Sequence, residues 1–214
     1  MATHIRPATA ADIDFVAWVI LTASRSQLPL GAWDHYVGGD EARVRAFLHR
    51  MVTQDLLSFC RWEGFLIAEI DGVPAAGLSG YVSSDPAMAN PTPALLAASR
   101  ALGWSDAQLE AAGARLGAFL TCVIEPPPDT WVVEWVATQP AFRRRGVMHE
   151  LLLAVLDAGR RRGFARSQIM VLVGNTAARC AYERVGFVYT DEKRHPDFER
   201  WMGCPGIERL MLDL

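Results

Sequence analysis

The sequence predicts a mixed α/β fold, a central sheet flanked by helices, and three observations carry that reading. The 214 residues are 51% hydrophobic and 21% charged, with seven Trp and nine Phe, which suits a chain that buries a sizeable core and excludes disorder as its main state. Two apolar runs, 65–70 and 73–82, meet at Asp71-Gly72, a residue pair that favours a tight hairpin turn. From Trp131 onward the pattern alternates strand, helix, strand, helix, strand. At roughly 150 residues per domain the length favours one large domain, residues 1–214, and the chain has no internal repeat that would argue otherwise.

The elements follow in order. Ile5 lies in a short strand, and Thr9-Ala-Ala-Asp12 places a hydroxyl at the N-cap and a carboxylate three residues on, so a helix starts there. Ile13, Val16, Ala17, Ile20 and Leu21 give that helix one apolar face, ending near Ser24. Residues 29–39 read as a polar and aromatic loop. Val44, Phe47, Leu48 and Met51 predict a second helix within 40–54, before the hairpin. Residues 83–129 break the rhythm and read as an inserted helical segment: Pro86, Pro91 and Pro93 bound a loop, and Ser105-Asp-Ala-Gln108 opens an Ala-rich helix. Pro126-Pro127-Pro128 closes it as a rigid spacer.

Trp131 to Ala137 is an apolar, β-branched run and predicts a buried strand interrupted by one carboxylate, Glu134. A helix follows Gly146, with Val147, Leu151, Val155, Met148, Leu152 and Leu156 on its apolar face and basic residues in its last turn. Residues 167–173 form the next strand, Asn175 caps a helix through Tyr182, Gly186 ends it, and extended structure resumes at 187–189.

Charges sum to −3, so the surface offers no overall basic field to hold nucleic acid or anionic lipid. Arg143–Arg145 and Arg160–Arg162 fall at opposite ends of one predicted helix, without the interleaved aromatics of a single-strand binder. Cys60, Cys122, Cys180 and Cys204 stand far apart and fit neither a zinc site nor a disulfide framework. With no signal-peptide pattern and no apolar run near the ~18 residues of a membrane span, the expectation is a cytoplasmic protein without bound metal.

Two motifs carry the chemistry. Gln139-Pro-Ala-Phe-Arg143-Arg144-Arg145-Gly146-Val147 sets a cationic turn between a strand and a helix start, where free N–H groups and the helix dipole favour an anion such as a pyrophosphate. Alone, it reads more simply as a solvated arginine turn. Some thirty residues later comes Asn175-Thr-Ala-Ala-Arg-Cys-Ala-Tyr182-Glu-Arg-Val-Gly186-Phe187. Together, over about residues 131–189, these segments resemble the GNAT N-acetyltransferase superfamily, with its Arg/Gln-x-x-Gly-x-Gly/Ala loop and its Asn-x-x-Ala-x-x-x-Tyr-Glu-x-x-Gly-Phe signature. One departure is Met148, where the loop motif has a small residue.

The resemblance implies a mostly antiparallel twisted sheet of about six to seven strands with a splayed central pair. It implies acetyl-CoA as co-substrate, held by Arg143, Arg144, Arg145, Gly146, Val147, Met148 and Asn175, with backbone groups of Val136, Ala137 and Thr138 along the pantetheine arm. Tyr182 fits the family's position for the acid that protonates the leaving thiolate. Glu134 is the candidate general base, with a structural ion pair as the rival reading, because spacing does not fix the face it points to. Trp33, Tyr36 and Trp135 are candidate contacts for the acceptor, a primary amine of a small molecule or protein, together with residues 193–202, read as a loop that carries His195 on the surface. The alternative function is a CoA-binding regulatory module without turnover. Exposed sheet edges make a homodimer the expected assembly, if one forms.

Overall fold

The computed structural model describes residues 3–214. One seven-stranded sheet organises the chain: β1 (Thr3–Pro7), β2 (Phe65–Ile70), β3 (Val73–Val82), β4 (Trp131–Thr138), β5 (Arg166–Leu172), β6 (Val188–Arg194) and β7 (Gly206–Asp213), in the order β1-β2-β3-β4-β5-β7-β6. Every neighbouring pair is antiparallel except β4 with β5. The parallel ladder is short, joining only Trp131, Val132 and Val133 to Ser167, Gln168 and Ile169. Beyond Val133 the two strands part, and the sheet carries the splayed central pair that the resemblance implies.

Two helical layers cover the sheet. On one face α7 (Val147–Arg161) and α8 (Thr176–Glu183) pack against Val133, Ile169 and Val171. Trp131 is pinned there, its indole N–H donating to Val155 O at 2.9 Å. On the other face lie α1 (Ile13–Arg25), α2 (Ala32–Val37), α3 (Glu41–Val52), α5 (Thr92–Ala101), α6 (Asp106–Leu120) and α9 (Pro196–Met202), with the short α4 (Pro86–Ala89) beside β3. The Thr9 start signal works as expected: its N–H donates to Asp12 Oδ2 at 2.8 Å. Arg6 then ties Asp12 (2.7 and 2.9 Å) and Glu69 together, and its hydrogen bonds hold the Asp12 carboxyl down at about 2.

The structure corrects three sequence expectations. Within residues 29–39 the loop contains a helix, α2, because Asp34 accepts from the Gly31 N–H (2.8 Å) while Arg25 clamps its carboxylate, and Trp33, Tyr36 and Val37 share a buried face. The prolines at 86–93 begin helices rather than bound a loop: Pro86 and Pro93 occupy first-turn positions, where a missing N–H costs nothing. The segment near His195 is not a surface loop but α9, its first turn capped by His195 Nδ1 accepting from the Asp197 N–H at 3.1 Å. It is followed by β7, which the sequence reading did not place.

Candidate active site

β4 builds the site through an irregularity. Gly77 of β3 faces Ala137, yet Ser79 faces Glu134, so β4 carries one extra residue between them. The bulge sets Trp135 at φ +55°, in the left-handed region that an aromatic residue rarely adopts. Backbone strain of this kind persists only where surrounding structure holds it. Ala137 and Thr138 remain paired to β3, while their edge toward β5 has no strand partner.

Glu134 stands on the α1 face, since its neighbours Val133 and Trp131 belong to the α7-side core. It is half-buried and forms no ion pair among the described residues. Burial raises its carboxyl to about 7, against the smaller opposing effect of the Trp135 N–H hydrogen bond. Its charge reaches three buried groups: Tyr182, Tyr81 and Cys60. Desolvation first, and Glu134 second, push each of them up, so both phenols and the thiol are neutral at physiological pH.

The loop after β4 has the form an anion site requires. Arg143, Arg144 and Arg145 are exposed and, among the described residues, none is paired with a carboxylate. Arg143 Nε donates to Thr138 O (3.2 Å), and the Arg145 guanidinium lies over the Phe142 ring. Gly146 caps α7 at φ +82° with open space where a Cβ would sit, and no side chain caps the helix, so its first N–H groups face outward. Val147 is buried, and Met148 packs half-buried against the same core, so the departure from the loop motif is absorbed by packing.

Across the opening, Asn175 Oδ1 accepts from the Ala178 N–H (3.1 Å), capping α8, while its Nδ2 donates to Ser26 Oγ (2.6 Å). Gln27 Nε2 reaches Val173 O at 3.1 Å, so the end of α1 is fastened to the β5–α8 turn. Tyr182, on α8, is buried edge-on to Phe187. Trp33 and Tyr36 are buried in an aromatic cluster with Phe47 and Trp104. Only Trp33 among that group touches Trp135, at 6.0 Å between ring centroids. Val136 turns to the α7-side core.

Sequence reasoning missed Tyr81, Phe59 and Ser26. Tyr81 was the accessible one, two residues along a strand from Ser79 and therefore on the Glu134 face. Among the described residues, no group of three or more His, Cys, Asp or Glu is arranged to hold a metal ion, and no helix is long and apolar enough to cross a membrane.

A bulged strand beside a splayed parallel pair, with an uncapped helix N-terminus at the opening, defines the acyl-CoA N-acyltransferase fold. The sequence profile of the acetyltransferase (GNAT) family matches residues 37–187, and the chain belongs to that family. Among solved structures it is similar to an acetyltransferase at 19% identity and TM-score 0.70, over 98% of each chain. It is also similar to an N-acetyltransferase from Staphylococcus aureus Mu50, at 16% identity and TM-score 0.65 over 98% of this chain and 100% of that one. An N-acetyltransferase from Thermoplasma acidophilum solved in complex with coenzyme A aligns over 100% of both chains at 11% identity and TM-score 0.51. At such identities the likeness shows the fold. No curated protein matches the sequence.

Proposed function

We propose that this chain is an acetyl-CoA-dependent N-acetyltransferase that transfers an acetyl group to a primary amine of a small molecule or protein by direct attack in a ternary complex. The observation that carries the reading is Glu134: an unpaired, half-buried carboxylate at the point where β4 and β5 part, poised near neutral pH and within electrostatic reach of a neutral Tyr182.

The residues present fit the co-substrate. The outward N–H groups at the start of α7, Gly146 without a Cβ, and the exposed Arg143, Arg144 and Arg145 suit a diphosphate. The unpaired edge of β4 at Val136, Ala137 and Thr138 suits an amide-bearing arm that adds to a strand edge. Bound there, acetyl-CoA supplies the activated acyl group and a thiolate leaving group.

Glu134 takes a proton at its carboxylate from the acceptor ammonium, whose ordinary pKa near ~10 otherwise leaves little free amine. A base with pKa near 7 is still largely deprotonated at cellular pH while retaining proton affinity. Tyr182 donates its Oη proton to the departing sulfur; burial keeps that proton in place until it is needed. Asn175 fixes the start of α8 and so the position of Tyr182.

Thiol release from acetyl-CoA across a panel of amines tests the proposal. Glu134→Gln and Tyr182→Phe are each expected to lower kcat by about 10²-fold or more with CoA affinity unchanged. Full activity in both variants would overturn the assigned roles. Absence of turnover with any amine, while CoA still raises the melting temperature, would leave a CoA-binding module instead.

A further inference from the structure

The α1 face of the sheet holds two separate apolar clusters. One gathers Trp33, Phe47 and Trp135; the other gathers Met170, Phe198 and Ile207. Trp135 and Ala137 of β4 belong to the first cluster and Met170 and Leu172 of β5 to the second, so the seam follows the gap between β4 and β5, and Glu134 of β4 borders it. Helix α6 of the 83–129 insertion crosses that seam, contributing Ala112 and Leu116 to the first cluster and Phe119 to the second.

The crossing is fastened on both sides. Arg115 donates from Nε to His35 O and from Nη2 to Tyr36 O, each at 2.8 Å, which ties α6 to the last turn of α2. Phe119 packs on Phe198 (5.6 Å) and Trp201 (6.3 Å) of α9, and Trp201 lies 4.6 Å from the His35 ring. Helices α2, α6 and α9 thus form one continuous roof over the seam. Beneath it, Tyr81, Phe59 and Trp135 stack in series at 4.9 and 5.8 Å, giving an aromatic wall beside Glu134. On the other side Gln168, fully buried next to Val132 on the same face, has an Oε1 with no hydrogen-bond partner among the described residues. Glu134 accepts only the Trp135 N–H and Gln168 Oε1 accepts nothing, while the indole N–H groups of Trp33 and Trp135 also lack partners among the described residues; with a carboxylate, an aromatic wall and no cation among them, this lining suits a positive amino head on an apolar body.

We propose that the insertion turns the acceptor site into a roofed pocket, and that its ligand is a small primary amine with an apolar or aromatic body rather than the terminus or side chain of a polypeptide. This rests on the reading of Glu134 as the acceptor base. A peptide needs a groove open along its length, and α6 closes the side of the seam away from the sheet.

Calorimetry on the CoA-loaded protein tests it, using phenethylamine and tryptamine against two short peptides, one with a free N-terminal alanine and one N-acetylated with a central lysine. The arylalkylamines are expected to bind at least about tenfold tighter than either peptide, and Glu134→Gln and Phe59→Leu each to weaken them by about tenfold. Trp201→Ala, which thins the roof, is expected to narrow the gap between amines and peptides. Thermal melts establish that each variant is folded. A peptide binding as tightly as the best amine, or no binding by either class, overturns the proposal. So does an amine affinity untouched by both pocket substitutions. Amine binding without acetyl transfer would keep this inference and sink the acetyltransferase reading; efficient peptide acetylation would do the reverse.

Discussion

Replacing Glu134 by Gln should stabilise the protein while disabling it, and the size of the gain should depend on pH in a way that only a buried carboxylate produces. The Glu134 pKa is raised from 4.5 to about 7, chiefly by desolvation. The native state therefore holds a proton that the unfolded chain has already released between these values. The sign follows: below about pH 4.5 both states are protonated and the residue costs nothing extra. As pH rises toward 7 the native state loses ground, and above 7 the full penalty remains. A displacement of that size corresponds to about 3 kcal/mol, a large share of a net stability of roughly 5–15 kcal/mol. Gln is nearly isosteric and does not titrate. Its melting temperature relative to the parent should climb from near parity at pH 4.5 to about 6–12 °C higher at pH 8, at roughly 2–4 °C per kcal/mol for a chain of this size. Scanning calorimetry from pH 4.5 to 8.5 reads this directly. The parent's kcat/KM should rise with pH through an apparent pKa near 7, a limb that the variant lacks. Parallel melting curves for the two proteins across the range would show that Glu134 ionises as an ordinary surface carboxylate, and the argument for a tuned base would fail.

The loop and the packing give further expectations. Arg145→Glu places an anion at the opening of α7; CoA affinity by calorimetry should fall by about tenfold or more, with the melting temperature nearly unchanged because the residue is exposed. An unaltered affinity would remove the arginine turn from the site. Gly159→Ala should destabilise by about 1–3 kcal/mol despite the better helix propensity of alanine, since the new Cβ would lie 2.7 Å from the Trp131 ring. The same change at the exposed Gly113, which has nothing within 4 Å, should stabilise by about 0.5–1 kcal/mol; equal effects at the two positions in chemical denaturation would contradict the packing account.

Legibility of the sequence divided along a physical line. Local rules placed what local interactions decide. The Thr9 cap, the Asp71-Gly72 hairpin, the α7 stripe and the Asn175 cap all fell where side-chain periodicity and short-range hydrogen bonds dictate. The failures lie where tertiary contacts override local chemistry. Helix α2 is only six residues long and sits between glycines, and it depends on Arg25 reaching from α1 to lock Asp34. Helix α9 interrupts the connection between β6 and β7, and its buried Phe198 and Met202 are held by α6 and β7, elements remote in sequence.

The orientation of Glu134 is the sharpest case. A strict two-residue alternation cannot be carried through a strand with a bulge, and nothing in Glu-Trp-Val announces that Trp135 takes a positive φ. Yet the bulge links the two halves of the site. It allows both Glu134 and Trp135 to serve the α1 face, the first as an unpaired acid and the second as part of the aromatic wall, while Val136 returns to the α7-side core. A regular strand would have sent one of the first two to the opposite face. The strain at Trp135 is thus the local cost of putting a carboxylate and an aromatic surface side by side where the sheet opens, and it is affordable because Phe59 and Trp33 hold the ring from outside the strand.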